Sequence, residues 1–578
     1  MIFGTKTKQV ISVRTDGFGA RLMALIHGMY VAEQLDLPFK FSWLPMKGDS
    51  QFHAVSSVRN IFSESFLAEH YDDSLDLSKY REIVHEPLSD ETIKQVLQDK
   101  NLHGINMMVC EDQLKFKGAD IPREVFPRIW QKIDFSDRLK EIIAKAEAAV
   151  PGNAVAVHAR RGDTISGVYR MRLFNERYVP ISWFKTIFRG EADKGSPLLL
   201  FSDDSRILQM MRDRYSVGTT DDFGAGEYTS EERAVFDFAM MSRCSRIIAR
   251  GSTYAILASL INKVPRYDPR EAFDIASRRL AILDDVESNP DDYTTLDKAK
   301  ELQWVANELS EGLTYDQRDS LLSRASELDP ENQTYNHLRA LTFARRKLYK
   351  AAEDILREQA TAYFESNGGR SQEFMHPFNL MGDRIARPFL EPATIGEHPF
   401  ISLFYAHNLT KREGAEAALV MFRRSHLLEP ASDVLLANYA QALLACKKHD
   451  EALDPLASAI RAGRNLPIFH RQIIECYEAA GKKDMALKHA GIAFELAPED
   501  AFIRTKYAFL LTRARRNEEA KQAVEGMTQD STNDPAALFQ LSRALERFGN
   551  KALAKECAGK AVQLRPRKGY YRKWFESL

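Results

Sequence analysis

The sequence predicts an α/β segment built on parallel sheets, followed by an all-α solenoid of helical repeats. Two observations carry this. Up to about residue 275, short β-rich runs alternate with amphipathic helical stretches, the pattern of parallel sheets covered on both faces. Further on, alanines recur at Ala418, Ala452, Ala486, Ala520 and Ala554, each 34 residues after the last, and a fixed period of that size marks a stacked structural repeat.

In the α/β part, QVISVR at residues 9–14 reads as a strand. TDGFG follows it, and then ARLMALIHGMYVAEQL, whose Leu22, Ile26, Met29 and Ala32 fall on one helical face. VAVH leads into ARRGD, PLLLFS into DDSR, and RIIA into RGSTYAILASLI. Each time the polar or glycine-rich residues lie just past the strand's carboxyl end. Open α/β sheets bind ligands at that edge, so four such junctions imply one or two ligand-lined crevices.

In the repeat part, the alanines sit in segments such as KKHDEALDPLASAI and GKKDMALKHAGIAFELAPED. Prolines at Pro430, Pro467, Pro498, Pro535 and Pro566 are spaced 37, 31, 37 and 31 apart, a mean period of 34. A small residue where two helices cross, with a proline between units, resembles the tetratricopeptide repeat. An earlier copy occupies residues 323–356, and the stretch with GG, MHPF and EHPF reads as a divergent unit. The last segment, KGYYRKWFESL, is expected to cap the exposed end. The expected domains are residues 1–145 and 146–280 in the α/β part and 281–578 for the solenoid.

Composition limits the function classes. A chain of 578 residues exceeds one core and divides into about three or four domain-sized units. With 80 basic against 81 acidic residues, it lacks the basic excess on which nucleic-acid affinity rests. No segment approaches the roughly 20 apolar residues of a membrane span, and the start has no signal-peptide run, so a cytoplasmic protein is expected. Cys110, Cys244, Cys446, Cys476 and Cys557 are scattered and odd in number, suggesting buried thiols rather than disulfides or zinc.

Several residues point to phosphate chemistry. Gly17 and Gly19 form either a tight turn or a loop before a helix N-terminus at about Ala20, where backbone amides and the helix dipole meet an anion. The dinucleotide fingerprint is incomplete because Leu22 occupies its third glycine position, and no P-loop occurs. Arg160 and Arg161 form either an ion pair with Asp163 or a fork for pyrophosphate oxygens. There is no Asp-x-Asp, no His-Glu-x-x-His and no close Cys/His cluster, so an arginine would stabilise a departing diphosphate in place of a metal.

The run His158-Ala-Arg160-Arg161-Gly-Asp163 is similar to the His-x-Arg-Arg-x-Asp motif of the α1,2-, α1,6- and protein O-fucosyltransferase superfamily. TDGFGARLMALIHGMYVAEQLDLPFKFSW resembles that superfamily's N-terminal loop and helix, especially in the bacterial nodulation enzymes. AVFDFAMMSRCSRIIARGSTYAILASL resembles its third motif, and FSDD its acidic strand end.

The resemblance implies a GT-B architecture of two Rossmann-like domains, the second holding most of the nucleotide sugar. It further implies metal-independent, inverting transfer of fucose from GDP-fucose to a hydroxyl of a glycan or protein. On that basis Arg160 holds the pyrophosphate, His158 and Asp237 recognise guanine, and Arg161 and Asp163 support donor and sugar. Asp203 is among the donor-binding residues, Asp204 lies near ribose or base, Ser252 and Thr253 meet phosphate, and Gly17, Phe18 and Gly19 close over the donor.

Each assignment has a plainer counterpart: a core role for His158, a solvated helix face for Asp237, a helix cap for Asp204. The glutamate that serves the α1,6 enzymes as base is absent from TISGVYRMRLFNE. Glu176, Asp163 or no base at all remain open. Tyr169, Arg170 and Arg172 form either an acceptor-side strip or a solvated one. The solenoid implies a bound protein, an acceptor or a homo-oligomer interface. Two alternatives stand beside the fucosyltransferase: a transferase of another nucleotide sugar, and a repeat scaffold whose sugar-nucleotide domain has lost catalysis.

Overall fold

The computed structural model describes residues 8–44, 57–110, 114–171, 177–272, 274–366, 383–565 and 569–578. The chain forms two compact units, one running to Glu311 apart from 171–173, the other comprising those residues and Gly312–Leu578. Among the described residues no helix is long and apolar enough to cross a membrane.

The first unit holds two parallel sheets. Strands β1 (Gln9–Val13), β2 (Phe39–Ser42), β3 (Tyr80–Ile83) and β4 (Gly104–Met107) pair in the order β2-β1-β4-β3. Strands β5 (Val155–Ala159), β6 (Leu198–Ser202), β7 (Val217–Gly218), β8 (Arg246–Ala249) and β9 (Arg266–Tyr267) pair in the order β9-β8-β5-β6-β7. The second sheet grows outward in both directions from β5. Its topological switch point therefore lies between β5 and β8, where a crevice opens at the strands' carboxyl ends. Both central strands are apolar on both faces, as a sheet covered by helices requires.

Helix α1 (Phe18–Leu35) follows β1 and is buried almost all round. One continuous apolar cluster takes in Leu22 and Ile26 from α1, Ile105 from the first sheet, and Ala156, Phe201 and Ile247 from the second. Residues from both expected domains, 1–145 and 146–280, thus meet in one apolar cluster.

The first unit also extends past the expected boundary at residue 281. Beyond α2 (Ile181–Ala192), α3 (Ser205–Arg214), α4 (Ser230–Met241) and α5 (Thr253–Ile261), it includes α6 (Ile275–Ser288) and α7 (Thr295–Asn307). Charges attach them. Lys185 on α2 is buried with its Nζ 2.6 Å from both Asp285 and Asp292, and Arg214 also pairs with Asp292. Arg161 and Arg206 both pair with Asp297 on α7. Asp292 and Asp297 are buried, and each meets two cations.

The second unit is an array of helical hairpins. Its regular pairs are 399–413 with 415–428, 433–445 with 449–461, 467–479 with 483–496, 501–513 with 517–523, and 535–547 with 551–564. Ala418, Ala452, Ala486, Ala520 and Ala554 all fall on the fourth residue of the second helix and are fully buried. Ala352 occupies the same place in 349–366, paired with 334–345, so the earlier copy follows the same plan.

The uneven proline spacing has a structural cause, because the prolines do two jobs. Pro399, Pro467 and Pro535 are the first residues of first helices, where a missing N–H costs nothing. Pro430 and Pro498 instead lie just past second helices. Pro566 lies outside the described residues. The final helix, 569–577, buries Tyr571 and donates from Trp574 Nε1 to Ser542 Oγ at 2.8 Å, closing the end of the array.

Candidate active site

Four strand ends, two of them leading into helix starts, converge on one cleft of about 510 Å³ in the first unit. It is lined by Gly17, Phe18 and Gly19 after β1, His158 and Arg160 at the end of β5, and Asp203 after β6. Asp237 of α4 and Ser252 and Thr253 after β8 complete the expected set that reaches it.

Helix α1 starts at Gly17 with no side-chain cap, and α5 starts at Ser252 with none either. The first N–H groups of a helix lack intrahelical partners, so two uncapped starts on one cleft offer donors and positive dipole ends to an anion. Ser252 Oγ is buried there without a hydrogen-bond partner. Gly19 allows the two starts to meet: a Cβ at that position would lie 2.8 Å from the Tyr254 Cα. Only a residue without a side chain fits so close to backbone.

Arg160 supplies a full charge. Asp163 accepts from its Nε at 3.0 and 3.1 Å and from its Nη2, which fixes the guanidinium plane. Burial opposes the Arg160 charge, but Asp163 more than offsets it, and the pKa moves up. The guanidinium lies 5.5 Å over the Tyr169 ring, and Arg177 lies 5.3 Å from the same ring. Tyr169 and Arg177 both line the cleft.

Asp203 shapes the turn that carries Arg160. It accepts from the backbone N–H of Arg161 at 2.8 Å and of Gly162 at 2.9 Å. Burial raises its pKa against the pull of those two amides. His158 is held neutral, its pKa brought down to about 4 by burial and by the neighbouring Arg160 charge. Asp237 is pushed up to about 7 by burial, with Thr220 and Arg233 pulling the other way, and its Oδ1 has no hydrogen-bond partner.

Three expected residues do other work. Arg161 is fully buried and points away from the cleft into the core, toward Asp297. Asp204 caps α3, accepting from the N–H of Arg206 at 3.1 Å and Ile207 at 3.2 Å, and so fills the plainer role open to it. Asp163 is fully buried with both oxygens on Arg160, so it orients the arginine rather than facing an acceptor hydroxyl. Glu176 and Arg172 lie outside the described residues.

The sequence reading passed over Asp16, Arg177, Glu231, Arg233 and Tyr254, all of which line the cleft. Asp16, Arg177 and Tyr254 each adjoin a residue of the expected set, Gly17, Glu176 and Thr253, a usable signal. Among the described residues no group of three or more His, Cys, Asp or Glu side chains could hold a metal ion.

No family model and no curated protein matches the chain. Solved structures do. A tetratricopeptide protein with an unusual peptide-binding site, YrrB, is 18% identical over 33% of this chain and 100% of its own, with a TM-score of 0.25. A tetratricopeptide protein from Parabacteroides merdae is 12% identical over 48% of this chain and 98% of its own, at 0.31. The fucosyltransferase NodZ from Bradyrhizobium is 15% identical over 44% of this chain and 94% of its own, at 0.29.

Proposed function

We propose that the first unit is a glycosyltransferase that binds a nucleoside-diphosphate sugar in the cleft and transfers the sugar, fucose from GDP-fucose, to a hydroxyl of a glycan or protein. The observation that carries this reading is the convergence of Arg160 with the uncapped starts of α1 and α5 on one cleft. A diphosphate presents the oxygens that such donors accept, and guanidinium forks match them in pairs. The cleft volume of about 510 Å³ suits a ligand of nucleotide-sugar size.

Asp237 supports a guanine base, because its buried Oδ1, which has no hydrogen-bond partner, can accept from a guanine N–H. As the sugar leaves, negative charge grows on the diphosphate. Donors already aimed there stabilise it without reorganising. The hairpin array then serves as the surface that brings an acceptor or partner protein.

Calorimetric titration with GDP, UDP and GDP-fucose tests this directly. GDP and GDP-fucose are expected to bind, and UDP weakly or not at all. Arg160→Lys keeps a cation beside Asp163 but loses the fork, and is expected to weaken GDP binding by about tenfold. A wild-type protein that binds no nucleotide would overturn the reading.

A further inference from the structure

Arg160 and Arg161 follow one strand and point in opposite directions. Arg161 is fixed on several sides: its backbone N–H donates to Asp203, its Nη1 donates to the Val179 carbonyl at 3.2 Å, and its Nη2 pairs with Asp297 Oδ1. Its guanidinium lies 5.5 Å over the Tyr178 ring, and its Nε is 3.5 Å from Asp204. Asp297 belongs to α7, 136 positions away in sequence.

Asp297 is held with equal care. Its Oδ2 accepts from the Thr294 N–H at 2.9 Å and the Thr294 hydroxyl at 2.8 Å, and also from Arg206. Burial favours the neutral acid, yet Arg161 and Arg206 hold its carboxyl below the usual carboxylate range. One turn further along α7, Glu301 accepts the Ile181 N–H at 2.9 Å.

We propose that Asp297 is a positioning residue of the transferase site: by anchoring Arg161 it sets the backbone turn from which Arg160 projects into the cleft. The proposal rests on the diphosphate reading of that cleft. Turning the Arg161 side chain would pull its N–H off Asp203 and carry Arg160 with it, and a misplacement of about 1 Å is enough to cost a large part of a directed contact. Helix α7 is therefore part of the site, although it touches none of the cleft and lies outside the expected nucleotide domain.

The test uses the full chain and two probes, GDP and guanosine, titrated calorimetrically into wild type and Asp297→Asn. GDP needs Arg160; guanosine has no diphosphate for it to hold. The expected result is a loss of about tenfold in GDP affinity, the scale of one charge-assisted contact, with guanosine affinity unchanged. Unchanged GDP affinity would overturn the proposal, and so would an equal loss for both probes, which would indicate general damage. Arg161→Lys, which keeps a buried cation, takes the same comparison if Asp297→Asn does not fold. Failure of wild type to bind GDP would reject the transferase reading itself, an outcome distinct from a wild type that binds and a variant that binds equally.

Discussion

Arg160 and Arg161 are adjacent in the chain, but the guanidinium of Arg160 opens on the cleft while that of Arg161 is sealed against Asp297. One arginine serves the ligand and the next serves the core.

Their substitutions should fail differently. Arg161→Ala leaves Asp297 with one cation fewer in a buried setting and is expected to destabilise the first unit by about 3–5 kcal/mol. Arg160→Lys should leave the melting temperature close to wild type and lower nucleotide affinity. Differential scanning calorimetry beside nucleotide titration separates the two outcomes. Similar melting temperatures for both variants would contradict the assignment of Arg161 to the core.

Gly19 sits against backbone, and Gly19→Ala places a methyl 2.8 Å from the Tyr254 Cα. The starts of α1 and α5 must separate to accept it. Overpacking of this kind costs about 1–3 kcal/mol, and nucleotide affinity should drop with it because both helix starts face the cleft. Unchanged nucleotide affinity in a destabilised variant would show that the helix starts do not act on the ligand.

Asp237 makes stability and binding respond to pH in opposite senses. Its pKa rises from 3.8 unfolded to about 7 folded. Between those values the folded protein keeps a proton that the unfolded chain has lost. Stability therefore falls as pH climbs from about 4 to about 7, by an amount on the order of a few kcal/mol. Glu301, raised to about 7 by burial, adds to the same slope. Asp237→Asn should flatten the slope in part. Guanine donors favour the ionised carboxylate, so GDP affinity should rise over the same window in wild type and stay level in Asp237→Asn. A GDP affinity independent of pH in wild type would count against Asp237 as the base-reading group.

The turns of the hairpin array offer a stability test independent of the cleft. Two residues before five of the second helices, those starting at 349, 449, 483, 517 and 551, the chain adopts a left-handed conformation: Lys347 at φ 59°, Lys447 at 59°, Gly481 at 70°, Arg515 at 62° and Gly549 at 83°. A side chain there costs about 1–2 kcal/mol that glycine avoids. Lys447→Gly and Arg515→Gly are expected to raise stability by about 0.5–1 kcal/mol, and Gly481→Ala to lower it by a similar amount. Urea unfolding reads the difference, and a destabilised Lys447→Gly protein would refute it.

Much of this architecture was legible because it depends on short-range pattern. Each repeat alanine marks a helix crossing where nothing larger fits, and each β-run ends in the polar residues that a sheet edge exposes. Helices α6 and α7 were not legible, since their aspartates look solvated until Lys185 and Arg161 appear opposite them from 100 and 136 positions away. For the same reason the reading of Arg161 as a ligand contact missed its turn inward. Arg177, signalled by its place next to Glu176, reaches the cleft beside Tyr169.

The two classes of proline give the array a grammar of its own. Pro399, Pro467 and Pro535 open every other hairpin, while the hairpins between them open at Asp433 and Ala501 behind the capping side chains of Ser432 and Asp500. The pattern of helix starts therefore repeats every two hairpins. Excising two consecutive hairpins rejoins like ends and keeps the alternation in phase, whereas excising a single hairpin sets two of the same kind side by side. Shortening or lengthening of this array is expected to be tolerated in even steps.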